Sequence, residues 1–423
     1  MNTILDGRTP LVLVAGMSES TPLTARALLR TGTVLVHHDL SHVREGVVRR
    51  TVTSMTGSAG SAGTVSERET ILELAHGCVS CTLREDLLPL LRRLHSHSSV
   101  QRIVLLLDRQ LEPEALCWAI EHVVVTGVVG QLDGPAQRDV RVDAVVTCID
   151  AQTWLADATG DEALDDDRTL AQVVVGQVDF ADALVLRGSD GLDGWQRSRL
   201  NAVLARIAPR VPVFDEGDDR LLSDAVEALL LEVPADARRG ELADAHSPLL
   251  RRQPPLDDDG GVMLVEFTAN RPFHPGRLHE AIDVLLEGVV YSRGRVWVAT
   301  QPGEALWLES AGGGLRVASA DTWLAAMTPL ERDRVPAERR ALAALKWDER
   351  FGDRDTSMVV LTCGANPLEI DRTLQHALVT DDELADEASW ATWEDPFGEF
   401  HEDPCDESES PYAETESTRE GNE

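Results

Sequence analysis

The sequence has almost no lysine. Of its 39 basic residues only Lys346 is a lysine and the other 38 are arginines, so no chemistry in the first 345 residues can use a lysine amine. Aromatic residues are scarce at 4%, which leaves Leu, Val and Ala to fill the core. Six cysteines in 423 residues do not make a disulfide framework. No apolar run reaches the roughly 18–20 residues that a membrane helix needs. Met1–Pro10 lacks the basic-plus-apolar layout of a secretory leader, so a cytoplasmic location away from membranes is expected. Positive charge is short as well. The 73 acidic residues outweigh the basic ones and give a net charge of −34. That argues against charge-driven binding to DNA or to anionic lipid, and for proteins, cations or small molecules as partners.

What is there suits a globular chain: 43% of residues are hydrophobic, and the length allows two or three domains. Over the first 230 residues short apolar runs alternate with helical patterns. Leu11–Gly16, Thr33–His37, Thr64–Leu74, Ile103–Leu107, Ala144–Ile149, Ala183–Leu186 and Val211–Phe214 read as strands. Thr82–Leu94 reads as a strong helix, with leucines at helical spacing. Further helices are expected over Pro22–Arg30, Pro113–Ile120, Leu170–Val178, Trp195–Ile207 and Leu221–Leu231. This alternation predicts an α/β fold with a mostly parallel sheet and helices on both faces. Ser54–Gly63, rich in Gly, Ser and Thr, reads as a loop. The pattern sets one domain over 1–232, a linker over 233–261 and a smaller α+β domain over 262–385. In that second domain, strands are expected near Val289–Arg293 and Arg295–Thr300 and a helix near Ala320–Ala326. The tail 399–423 holds ten carboxylates and one arginine, too little apolar surface to order itself.

Three places could carry chemistry. The first is the turn after strand one. A phosphate-cradling loop begins with a glycine, here Gly16, and the pattern G-x-x-x-x-G-K-[ST] then requires Gly, Lys and Ser or Thr at 21–23. The chain has Thr21, Pro22 and Leu23. Pro22 also removes a backbone N–H, and Glu19 puts a carboxylate where phosphate would lie. The sequence here reads better as an ordinary strand–helix turn with Pro at the helix start. The second place is Glu73-Leu-Ala-His76-Gly-Cys78-Val-Ser-Cys81-Thr. Two cysteines three apart can share a soft metal such as zinc, with His76 and Glu73 near enough to join. A helix start after Cys81 favours its thiolate. The same spacing serves dithiol exchange, or simply two structural thiols. The third place is a pair of carboxylates, Asp108 and Asp190, which follow strands at the ligand-binding edge of such a sheet. Asp108 could hold magnesium and Asp190 could read a guanine edge; both are also ordinary turn residues. His401 and Cys405, set among tail carboxylates, read as solvated residues or a loose metal site.

The stretch His76-Gly-Cys-Val-Ser-Cys-Thr-Leu-Arg-Glu-Asp-Leu87 resembles the CobW-type P-loop GTPases, a family of metallochaperones with a G-C-x-C-C-T-L-R motif. Val145–Ala151, Gln177–Asp182, Arg271–Pro275 with Arg277-Leu-His279, Gly294–Thr300, Trp347–Asp353 and Leu378–Leu384 match it in order. The resemblance covers about residues 10–398. It implies GTP and magnesium in the first domain, near Gly16, Asp108 and Asp190. It also implies zinc at Cys78 and Cys81, handed on to a client protein. The chain departs from the pattern repeatedly. Besides the altered P-loop, N-K-x-D becomes Arg187-Gly-Ser-Asp190 and E-x-x-G becomes Asp108-Arg-Gln-Leu111. The middle cysteine of C-x-C-C is Ser80, and the usual Asn is His76, which would restore a third metal ligand. Loss of the P-loop lysine, glycine and hydroxyl implies impaired or absent hydrolysis. This degenerate form resembles an actinobacterial branch whose members are described as recruiting a hibernation factor to ribosomes under zinc limitation. A ribosome-associated partner, or a client protein that requires zinc, is therefore expected.

Overall fold

The computed structural model describes residues 6–56, 64–74, 78–216, 222–242, 245–250 and 252–398. Most of the Gly/Ser-rich insert, His76 and the acidic tail, with His401 and Cys405, lie outside them.

Eight strands form the first sheet: β1 (Thr9–Ala15), β2 (Thr33–Asp39), β3 (Val47–Thr56), β4 (Thr64–Glu73), β5 (Arg102–Leu106), β8 (Val140–Asp150), β9 (Ala183–Arg187) and β10 (Val213–Glu216). Two short strands, β6 (Val124–Val125) and β7 (Gly134–Pro135), make a separate hairpin. The order in the large sheet is β10-β9-β8-β1-β5-β2-β3-β4. The six strands from β10 to β2 run parallel. β3 and β4 extend the edge as an antiparallel pair. Both faces are covered, and β1 shows how. Leu11, Leu13 and Ala15 pack into one core and Val12 and Val14 into the other, as the period-2 strand geometry requires.

The covering helices are α1 (Thr21–Ala27), α2 (Val79–Thr82), α3 (Leu88–His95), α4 (Pro113–His122), α5 (Trp154–Ala158), α6 (Leu170–Asp179), α7 (Gly194–Ile207) and α8 (Leu222–Glu232). A π-helical stretch, Leu83–Leu87, joins α2 to α3, so the leucine-rich segment is helical but not uniformly α. Thr169 and Asp193 start α6 and α7 with capping boxes completed by Gln172 and Gln196, which satisfy orphan N–H groups at both helix starts.

The second sheet is antiparallel, in the order β11-β15-β12-β13-β14. Its strands are β11 (Val262–Ala269), β12 (Val289–Val296), β13 (Glu304–Ala311), β14 (Gly314–Thr322) and β15 (Thr356–Cys363). Helices α9 (Pro275–Ala281) and α12 (Pro367–Ala377) supply Leu278, Ile370 and Leu374 to the core on one face, and α10 (Pro329–Arg334), α11 (Ala337–Leu345) and α13 (Asp381–Ala385) complete the unit. Val262, Leu264, Tyr291, Val359 and Leu361 from the other face share a core with Trp154, Val174, Leu200 and Val203 of the first sheet's helices. Residues 233–261 hold no helix or strand among those described, but they are packed. Arg239 N–H donates to both Asp182 oxygens at 3.1 Å, and Leu249 and Leu250 join the shared core.

Two local expectations fail. Ala320–Ala326 is not a helix: β14 runs to Thr322, and Trp323 turns into an aromatic cluster with Trp297 and Trp390. The Asp353 carboxylate takes the Leu324 and Ala325 N–H groups at 2.9 and 2.8 Å, donors a helix would have used otherwise. The separate strand expected over Arg295–Thr300 is instead the end of β12 and a bend, bridged to Phe273 through Val298.

Candidate functional site

Gly16 follows β1 at the sheet's carboxyl edge with φ of +138°. A Cβ there would lie 2.2 Å from the Cys148 carbonyl oxygen, so only glycine fits between β1 and β8. The turn beyond it closes on itself. Thr21 Oγ1 donates to the Ser18 and Gly16 carbonyls at 2.7 and 3.2 Å. The Ser18 and Ser20 hydroxyls are 2.8 Å apart, and Ser20 N–H donates to Ser18 Oγ at 3.2 Å. Thr21, Leu23 and Thr24 N–H groups donate to Ser18 and Ser20 carbonyls, and Pro22 has none to give. The N–H groups of Ser20, Thr21, Leu23 and Thr24 are therefore engaged within the turn.

Beside this turn is a cavity of about 200 Å³. Glu19, Asp150 and Asp157 line it, with no Arg, Lys or His among the described residues around it. Burial pushes the Asp157 carboxyl up, and the charges of Glu162 and Asp150 add to it against a hydrogen bond from Thr153. A polyphosphate without a counter-cation would meet like charge here.

Asp108 and Asp190 are not assembled around that cavity. The Asp108 carboxylate accepts Leu40 N–H at 3.1 Å and Gln110 N–H at 3.3 Å, which makes it a turn-holding group between β5 and β2. It also lines a small space with Val79, Thr82 and Leu83. Asp190 is exposed. Next to it Gln152 Nε2 donates to the Gly188 carbonyl at 3.1 Å, and its amide fills the space above Gly191.

The thiols are brought together. Cys78 is the residue before α2, and its sulfur accepts Cys81 N–H at 3.3 Å. The two sulfurs lie 3.1 Å apart and both residues are half-buried. Cys117, Cys148 and Cys363 are buried, and burial pushes the Cys117 and Cys363 thiols up. Glu73 is exposed at the end of β4. Among the described residues no three His, Cys, Asp or Glu side chains form a metal-holding group, so the described part of this centre is the cysteine pair.

Asp86, five residues after Cys81, was missed by sequence reasoning. Its carboxylate lies 2.8 Å from His38 Nε2 on β2 and is bonded by Arg50 on β3. Burial works to raise the Asp86 carboxyl, but the hydrogen bonds from His38 and Arg50 outweigh it and hold it below the usual range. This cluster ties the helix that carries the cysteines to the edge of the sheet. An acidic residue on the inner face of an otherwise leucine-rich helix was the available signal.

Also missed was a cleft of about 720 Å³ between the two sheets. Ser80 and Arg84 of the cysteine segment line it, opposite Arg293 and Glu309 of the second domain. Within it Arg168 pairs with Glu112 at 3.0 Å, and Arg293 with Asp179 at 2.8 Å. Burial pushes the Glu112 carboxyl up even against Arg168.

The CobW/HypB/UreG nucleotide-binding domain model matches residues 54–215, and that of the cobalamin synthesis protein cobW C-terminal domain matches 262–378. A zinc chaperone of Mycobacterium tuberculosis is 50% identical over 400 residues, 95% of each chain. The chain belongs to the CobW family. The first match begins at residue 54, so in this CobW-family chain the Gly16 turn lies outside the matched stretch. A zinc-regulated GTPase metalloprotein activator of Dictyostelium discoideum is 24% identical over 355 residues, covering 79% of this chain and 71% of that one. The Zn(II)-bound YjiA GTPase of E. coli is 15% identical, with 88% of this chain and 99% of that one covered. Its TM-score is 0.36, too low to bear on function. Among the described residues no helix is long and apolar enough to cross a membrane.

Proposed function

We propose that this protein is a zinc-handling CobW-family factor that takes its metal on Cys78 and Cys81 and acts without GTP hydrolysis. The juxtaposed thiols carry this reading. Two thiolates are soft ligands suited to zinc, and a tetrahedral zinc about 2.3 Å from each sulfur would part them to about 3.8 Å. An opening of less than an ångström from the 3.1 Å observed meets that demand. His76 is the proposed third ligand. The engaged N–H groups behind Gly16 and the acidic cavity beside them support the second half of the proposal.

The finer proposal is an adaptor. Metal occupancy would set whether the protein docks on a ribosome-associated hibernation factor. Ribosomal and ribosome-bound proteins are rich in basic residues, and a net charge of −34 favours such a partner. The name of the mycobacterial relative supports a second reading, delivery of zinc to a client protein.

Competition for zinc against a chromophoric chelator tests the core of the proposal. One equivalent bound by the full chain and lost in Cys81→Ser is expected; equal retention by wild type and variant would refute it. Co-sedimentation with ribosomes from zinc-starved and zinc-replete cells separates the finer readings. A difference between the two supports the adaptor, and equal, negligible sedimentation removes it.

A further inference from the structure

We propose that Cys78 and Cys81 form a closable dithiol, so that oxidation by a small disulfide joins the two sulfurs and expels the bound zinc. This rests on the zinc reading for its consequence, but the ring closure stands on its own geometry.

The sulfurs are 3.1 Å apart, between the bonded distance of about 2.0 Å and the separation of about 3.8 Å around a shared zinc. Movement in either direction is short. Both residues are half-buried, within reach of a small solute, whereas Cys117, Cys148 and Cys363 are buried. The Cys81 N–H bond to Cys78 Sγ and the Thr82 hydroxyl bond to the Cys78 carbonyl, both 3.3 Å, hold the two residues in this relation. The chain carries Ser80 between them, so no third thiol within the C-x-x-C segment competes for the bond.

The chemistry is ordinary thiol–disulfide exchange. One cysteine thiolate attacks a sulfur of the small disulfide, breaks its S–S bond and releases one thiolate, leaving a mixed disulfide on the protein. The second cysteine sulfur then attacks the protein-side sulfur of that bond and expels the second small thiolate. Two cysteine sulfurs are oxidised by two electrons in all, and one small disulfide is reduced to two thiols. From the zinc-loaded state the two ligand thiolates supply the electrons and Zn²⁺ leaves, because a disulfide has lost the anionic character that bound it.

The test uses the full chain carrying Cys405→Ser, which removes the tail thiol. Reduced protein, with and without zinc, is treated with glutathione disulfide and followed by intact mass and by a zinc-responsive dye. The proposal expects a product lighter by two hydrogens with no glutathione attached. It also expects dye signal rising in step with that product, and recovery of zinc binding on reduction. Cys78→Ser and Cys81→Ser should each stop at one glutathione adduct. A stable adduct on the chain with both cysteines, or closure with zinc retained, would overturn it. Ring closure in a chain whose reduced form never holds zinc would refute the zinc reading instead, and zinc binding without ring closure would refute this inference alone.

Discussion

Gly16 and Asp86 set the two ends of the candidate site residue by residue. At Gly16 a methyl group would collide with the Cys148 carbonyl, and φ lies in the region that side chains avoid. Gly16→Ala should cost about 2 kcal/mol or more, read as a lower urea midpoint; an unchanged midpoint would show that the turn relaxes freely. Asp86 is a buried carboxylate between an imidazole and a guanidinium. Removing its charge by Asp86→Asn leaves Arg50 short of its partner and should cost about 3 kcal/mol. The sign with pH follows from its lowered value. Its contribution is complete above the ordinary carboxylate pKa of about 3.9 and fades as pH falls through the lower folded value. The stability gap between wild type and Asp86→Asn should therefore shrink as pH falls below about pH 4. A gap that instead widens below about pH 4 would contradict the assignment.

Among elements, the central parallel strands were legible because both of their faces are apolar, which gives continuous Val/Leu/Ile runs such as Leu11–Val14 and Ile103–Leu107. β3 was not: it runs Val-Val-Arg-Arg-Thr-Val-Thr-Ser-Met-Thr, with too little apolar character for a buried strand. It is an antiparallel strand near the sheet edge, stabilised by pairing to β2 and β4 on either side, a context that no local pattern reveals. The cysteine pair was legible from spacing, whereas Asp86 and the interdomain cleft depend on partners about 40 to 200 residues away in sequence. The β6–β7 hairpin is held in a similar long-range way. Arg92 is almost wholly buried; it donates to Asp139 at 2.6 Å and to the Val125, Gly134 and Leu132 carbonyls at 3.2, 3.1 and 2.8 Å. Arg92→Met should cost about 3 kcal/mol. It should also speed amide exchange across residues 123–135 while β1 and β5 keep their protection. Uniform loss of protection everywhere would mean that Arg92 supports the whole domain.

At the scale of the whole molecule, the two large sheets are joined through one shared core. A polar seam adds to it: Arg293 pairs with Asp179 at 2.8 Å, and Arg199 donates to the Cys363 carbonyl at 3.1 Å. The cysteine segment and the second domain face each other across that seam, so domain coupling and the proposed metal handling would share one region. Arg293→Met should weaken the interface by on the order of 3 kcal/mol and split a single calorimetric unfolding transition into two. A single transition at lower temperature would mean that the apolar core alone couples the domains. The central proposal is a CobW fold that handles metal without a working nucleotide site. The measurement that bears on it most directly is calorimetric titration of magnesium GTP into the full chain, zinc-free and zinc-loaded. The closed Gly16 turn and its acidic surroundings predict no saturable heat at millimolar nucleotide in either form. Saturable one-site binding, strengthened by zinc, would contradict the account and restore a nucleotide-driven cycle.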